Sequence, residues 1–147
     1  MTPPPAEAGG GGRRKGRELA MKLLYQTGIT GQALDEACAT FEEFAGAAPG
    51  ARDFALALAR GVVDRRADLD AALTVALKDW TLERLSAIDA ALLRVAAFEL
   101  MYRDDIPARA TLDEAIELSR QYSSGEAAGF VNGVLDAVAR VKAAHKL

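Results

Sequence analysis

Arg13-Arg14-Lys15-Gly16-Arg17 sets four cations within five positions, directly ahead of the amphipathic stretch Glu18-Leu19-Ala20-Met21-Lys22-Leu23-Leu24-Tyr25. Cations this closely spaced can neutralise successive phosphates of a nucleic-acid backbone. The rest of the chain sharpens the contrast. It carries 18 Lys and Arg against 21 Asp and Glu; with these four cations set aside, 14 remain against 21, a balance of −7. An acidic protein that gathers positive charge at one helix end has a localised electrostatic footprint, which is what contact with an RNA or DNA backbone needs. The bland reading is a solvated helix end, and short basic runs are usually that.

Groups for catalysis do not converge. The single His145 lies near the C-terminus, where chain ends fray. Gly9-Gly10-Gly11-Gly12 precedes no strand and lacks the Lys-Ser/Thr pair of a phosphate-binding loop. One Cys and one His make no metal set, and Cys38, with no general base in reach, reads as a small core residue. Acidic pairs on charge-rich helices are usually solvated faces. The expectation is a protein with no enzymatic activity, no metal and no cofactor.

Helices must position the basic cluster. Half of the 147 residues are hydrophobic, rich in Ala and Leu and poor in β-branched strand formers. That length suits one domain, or two intimately packed halves, burying about two-thirds of its surface. No run approaches the ~18 apolar residues of a membrane span, no signal-peptide core opens the chain, and a lone Cys forms no internal disulfide. A reduced, cytoplasmic protein follows.

Residues 1–12, with Pro3-Pro4-Pro5 and four successive glycines, read as a disordered leader, and 13–147 as the folded helical unit. The first helix should span 13–27, with Leu19, Ala20, Leu23, Leu24 and Thr27 inward and Gly28 near its end. A second, 34–45, turns Leu34, Cys38, Phe41 and Phe44 inward. One long helix covers 51–76, with Trp80 beyond it as a buried core or hinge anchor. Thr81 and Ser86 read as caps, Ser86-Ala87-Ile88-Asp89 matching the Ser-x-x-acid pattern. Thr111-Leu112-Asp113-Glu114 matches it again, for a helix at 109–122 burying Leu112, Ala115, Ile116 and Ser119. The last helix, 125–143, buries Val131, Val134, Leu135 and Val138, and has Phe130 in its first turn, open to solvent. Gly133 in mid-helix suggests close contact with a neighbour.

Between Ala87 and Met101 only Asp89, Arg94 and Glu99 are polar. A helix apolar nearly all round sits at the centre of a bundle. Steps of five residues turn each polar residue about 140° from the last, so the three share no stripe. At least one of Arg94 and Glu99 should be buried and paired, with Asp113 or Glu114 as further candidates.

Taken together, these residues resemble the NusB family of bacterial transcription antitermination factors over roughly 13–138. The motifs are Arg13 to Glu18 with Tyr25, Ile88-Asp89 through Leu92-Leu93-Arg94 to Phe98-Glu99-Leu100, Ile106-Pro107, Asp113 to Leu118, and Phe130 to Asp136. Singly they are weak signals; together and in family order they are specific. The resemblance implies an all-α, seven-helix fold of two packed bundles and a non-enzymatic function. It implies binding of the boxA element of nascent ribosomal RNA transcripts together with the small-subunit ribosomal protein NusE, in a complex that lets RNA polymerase pass terminators. Carried over by position, the RNA contact falls on Arg13, Arg14, Lys15 and Arg17, an aromatic contact on Phe130, and an acidic position that tunes RNA affinity on Glu126. The NusE-facing surface includes Asp89 and Glu83.

General chemistry is consistent with those assignments, since an exposed Phe offers a base a stacking face worth about 1–3 kcal/mol. Glu126 could equally serve as a capping residue. Three departures stand out. Gly16 replaces the family's usual Ala and should loosen the first helix by about 1 kcal/mol. Lys15 replaces an Arg and loses bidentate phosphate geometry. The segment from Gln121 to Gly129 is unlike familiar members. Rival readings are a helical protein-interaction adaptor or RNA-binding module without an antitermination role, and a homodimer that hides the basic face. The family's methyltransferase-linked form is discounted, because little chain follows the last helix.

Overall fold

The computed structural model describes residues 10–145. Among them there are eight α-helices, one 3₁₀ turn and no strand. The helices are α1 (Gly10–Thr30), α2 (Leu34–Thr40), α3 (Glu42–Ala45), α4 (Pro49–Asp64), α5 (Arg66–Leu77), α6 (Ala87–Tyr102), α7 (Ala108–Tyr122) and α8 (Ala127–His145), with the 3₁₀ turn at Leu82–Arg84. The all-α expectation holds with one helix more than the seven foreseen. Residues 1–9 of the expected leader lie outside the described residues, and Gly10 to Gly12 already belong to α1.

α6 is the axis. It touches α1, α4, α5, α7 and α8, and its buried residues include Leu92, Leu93, Val95, Ala96 and Leu100. Its start follows the expected chemistry, as the Ser86 hydroxyl accepts the Asp89 N–H at 3.2 Å and so satisfies one free donor of the first turn. α1 packs most extensively on α4, burying Leu19, Ala20, Met21, Leu23 and Leu24. α8 buries Val131, Val134, Leu135 and Val138, as its periodicity required.

Several local expectations are corrected. α1 runs on past Gly28 to Thr30 and is followed by Gly31, whose φ of +76° suits a residue without Cβ. Phe41 is extended and divides 34–45 in two; Arg65 likewise divides 51–76 into α4 and α5. Trp80 is not buried: it is 42% exposed, and the Arg84 guanidinium lies 4.5 Å from its ring centroid. Lys78, at φ +57°, turns the chain outward just before it. Thr81 makes no side-chain cap. Nor does Thr111, because Pro107 occupies that position and its carbonyl accepts the N–H groups of Ala110 and Thr111.

Glycines mark the tightest contacts, though not where periodicity suggested. A Cβ on Gly16 would stand 2.7 Å from Phe54 Cδ2 and 3.1 Å from the Ala51 carbonyl. Gly16 therefore lets α1 lie close on α4, and its absent side chain serves packing instead of merely loosening the helix. Gly61 faces the Phe98 ring with no room for a Cβ. Gly133 faces open space, so its expected helix contact is absent.

Candidate nucleic-acid interface

The first turns of α1 carry the four cations and no acidic residue. Cations at a helix N-terminus are unfavourable to the helix dipole, so counter-charges must come from elsewhere. Carboxylates of other elements supply them. Arg14 donates from Nε and Nη2 to the two carboxylate oxygens of Glu114 in α7, both at 3.0 Å. Its hydrogen bond and charge attraction to Glu114 raise the Arg14 pKa. Lys15 pairs with Glu43 of α3 and with Glu18, 3.0 Å away, and its pKa is raised by Glu43 first and Glu18 second. Arg13 lies 3.8 Å from Asp105 in the α6–α7 loop.

Glu43 is shared. It also accepts from Lys22 at 2.8 Å, and the hydrogen bonds from Lys15 and Lys22 hold its carboxyl down at about 2. Burial pulls the Lys22 ammonium down, but Glu43 and Tyr122 more than offset this and raise its pKa. Burial pushes the half-buried Cys38 thiol up, which disfavours a reactive thiolate.

Arg17 faces the other way. It is 4% exposed, and its Nε and Nη2 each approach a different oxygen of Glu99 at 2.8 Å. Glu99 is 1% exposed and also accepts the Thr111 hydroxyl at 3.0 Å. The expectation that Arg94 or Glu99 is buried and paired is met by Glu99, but its partners are Arg17 and Thr111 rather than Asp113 or Glu114. Arg94 is half-buried and pairs with Asp70 at 2.8 Å. A residue whose donors serve a buried carboxylate orients α1 instead of meeting solvent. The signal was present in the chain: Arg17 shares its stripe with the buried Ala20, Met21 and Leu24.

Phe54 joins the cluster to the core. Its fully buried ring has the guanidinium carbons of Arg103, Arg17 and Arg13 at 5.4, 5.5 and 5.7 Å from its centroid. Such placements favour cations over the ring face. Arg103 in turn lowers the pKa of Asp105 through a hydrogen bond to its carboxylate.

α1 and α7 run side by side in the same direction, for Arg14 meets Glu114 while Lys22, eight residues on, lies 5.2 Å from the ring centroid of Tyr122. A cleft of about 320 Å³ between them is lined by Arg14, Glu18, Glu114, Glu117, Arg120 and Gln121, among others. Past the end of α7, Glu126 is exposed in the turn just before α8, and Phe130 is 38% exposed in the first turn of α8. No contact between these two residues and the α1 cations is observed.

Asp89 and Glu83 flank a second region. Glu83 is exposed and lines a groove of about 390 Å³ with Tyr25, Leu85 and Arg94. Tyr25 also lines an adjoining groove of about 480 Å³ with Lys22, Ser86, Ile88 and Tyr122. Asp89 is half-buried, and its Oδ1 has no hydrogen-bond partner among the described residues. Exposed Tyr25 and Ile29 add apolar surface here that the helix periodicity did not single out.

Comparison with known proteins gives the same picture. The NusB family model matches residues 14–140. The transcription antitermination protein NusB of Myxococcus xanthus is 41% identical over 133 residues, covering 88% of this chain and 95% of that protein. Its counterpart in Geobacter sulfurreducens is 38% identical over 130 residues, covering 88% and 94%. A solved structure of T. maritima NusB has a TM-score of 0.79 at 31% identity, covering 95% of this chain and 93% of that one. A crystal structure of the antitermination factors NusB and NusE in complex with dsRNA shares the fold, with a TM-score of 0.80 at 23% identity and coverage of 88% and 97%. The chain belongs to the NusB family of transcription antitermination proteins.

Proposed function

We propose that this protein binds boxA RNA of nascent ribosomal transcripts together with NusE, as the RNA-recognition part of an antitermination complex on RNA polymerase. Residues 13–147 form the working unit, in the cytoplasm and without catalysis. Among the described residues no helix is long and apolar enough to cross a membrane. Arg13, Arg14 and Lys15 contact phosphates, Phe130 stacks on a base, and Glu126 moderates affinity. Arg17 belongs to the same motif as the residue that orients the other three. The region around Tyr25, with Glu83 and Asp89, receives the protein partner.

The observation that carries this reading is the outward presentation of Arg14, whose side chain is 67% exposed, on an acidic protein whose sequence gathers cations there. An exposed Phe130 adds the stacking face that single-stranded RNA recognition uses. Exposed Tyr25 and Glu83, which line the neighbouring grooves, support a docking surface there.

Fluorescence anisotropy with a boxA RNA and a scrambled control, with and without NusE and at two salt concentrations, tests the proposal. Selective binding that weakens with salt and tightens with NusE is expected. Absence of RNA binding in every condition, in a sample that sedimentation finds monomeric, would leave the adaptor reading instead. A dimer that dissociates on dilution and then binds would point to a masked basic face.

A further inference from the structure

We infer that Glu114 is a built-in competitor for Arg14, and that it sets how tightly this protein holds RNA. The inference rests on the RNA-binding reading above. The two residues differ in freedom. The Arg14 side chain is 67% exposed, whereas that of Glu114 is 17% exposed and held on the flank of α7. The carboxylate is thus the fixed partner and the guanidinium the one able to leave. Glu114 occupies both Nε and Nη2, the fork that would otherwise grip a phosphate in bidentate fashion. Glu18 and Glu117 line the same cleft, so an incoming phosphate meets repulsion from that side and must draw Arg14 outward.

This exchange has a signature in salt dependence. Each phosphate neutralised by a cation releases a counterion from RNA, and a single strand contributes a slope of about 0.7 per contact. When Arg14 leaves Glu114, a lone carboxylate holds no condensed counterion shell, so the RNA still releases its counterion; the competitor lowers affinity while leaving the slope nearly unchanged. Substitution of Glu114→Gln keeps the side chain's shape and removes both the competitor and its charge. Asp113→Asn is the matched control, because Asp113 carries the same charge one position earlier but pairs with Arg109.

The test titrates full-length wild type, E114Q, D113N, R14A and the R14A/E114Q double variant with a boxA RNA oligonucleotide over a series of salt concentrations, after melting curves establish that each is folded. E114Q should bind about two- to five-fold more tightly with a slope close to that of wild type, whereas R14A should lose about 0.7 of the slope. D113N should change little, and E114Q should have no effect once Arg14 is gone. If wild type binds RNA and E114Q binds equally or more weakly, the competitor role is overturned while the RNA reading stands. If neither wild type nor E114Q binds, with NusE present or absent, the RNA reading falls and this inference with it. A gain in E114Q that persists in the R14A background would also overturn it, since the effect would then be net charge alone.

Discussion

Arg17 and Glu99 close a buried ion pair between the basic end of α1 and the central helix α6, with both short contacts at 2.8 Å and Thr111 completing the carboxylate's shell. Removing one partner of such a pair leaves an uncompensated charge in the interior, at a cost of about 3–5 kcal/mol. Arg17→Ala and Glu99→Ala should each lower Tm by roughly 10 °C in a chain of this size. Arg17→Met combined with Glu99→Leu should regain most of the loss, because apolar replacements leave no charge stranded. Thermal melts of the two single variants and the double decide it; single variants melting at the parent temperature would contradict the buried-pair account.

The RNA titration separates Arg17 from Arg14. Arg14→Ala should weaken binding of boxA RNA while Tm barely moves, as expected of an exposed side chain. Variants of Arg17 that remain folded should keep the parent's salt slope. A slope that drops for Arg17 as much as for Arg14 would mean that its guanidinium reaches phosphate after all.

Two glycines should respond in opposite directions. Gly61→Ala forces a methyl into the Phe98 ring and should cost about 1–3 kcal/mol as overpacking, with Phe98→Leu restoring part of it. Gly133→Ala has open space around it within α8 and should stabilise by about 0.5–1 kcal/mol. Urea denaturation midpoints give both values, and equal signs for the two would refute the packing argument.

Glu43 supplies a pH test. Its folded pKa of about 2 lies below the ordinary 4.5, so its pairing with Lys15 and Lys22 stabilises fully above about pH 4.5 and is lost as pH falls toward 2. Glu43→Gln should therefore reduce stability at pH 7 by a few tenths of a kcal/mol, small because the group is substantially exposed. The difference from wild type should shrink through that window. An unfolding series from pH 7 to pH 2 in which the gap stays constant would exclude the linkage.

Phe130→Ala should lower Tm by only a few degrees, since the ring is 38% exposed, yet reduce boxA affinity by about 1–3 kcal/mol through lost base stacking. Phe130→Trp should retain binding. An Ala variant that binds as well as wild type would remove Phe130 from the interface.

The parts legible from sequence are those fixed by patterns within one element. The apolar circumference of α6 announced a central helix, Ser86 announced its start, and the spacing of Val131, Val134, Leu135 and Val138 announced the buried face of α8. What escaped depends on partners distant in sequence. Gly16 and Gly61 look like helix-weakening residues until Phe54 and Phe98 come against them. Trp80 looks like a core residue until Lys78 turns the chain outward and Arg84 covers the ring. The candidate site divided in the same way. The cluster from Arg13 to Arg17 was visible as charge, but the inward side of Arg17 and the carboxylates that claim Arg14 and Lys15 belong to α6, α7 and α3. Charge counting alone overstates how much of that cluster is offered to a ligand.

Because Arg17 is pinned to Glu99, it acts as an angular index for α1. At about 100° per residue, Arg13 stands roughly 40° from the pin, Arg14 about 60° to the other side, and Lys15 about 160° away. These offsets, rather than the number of cations, decide which of them projects into solvent. Deleting Gly16, or inserting one neutral residue between Lys15 and Arg17, would leave the net charge untouched. It would still swing each outward cation by a quarter-turn or more, so the spacing of the motif is under tighter constraint than its charge.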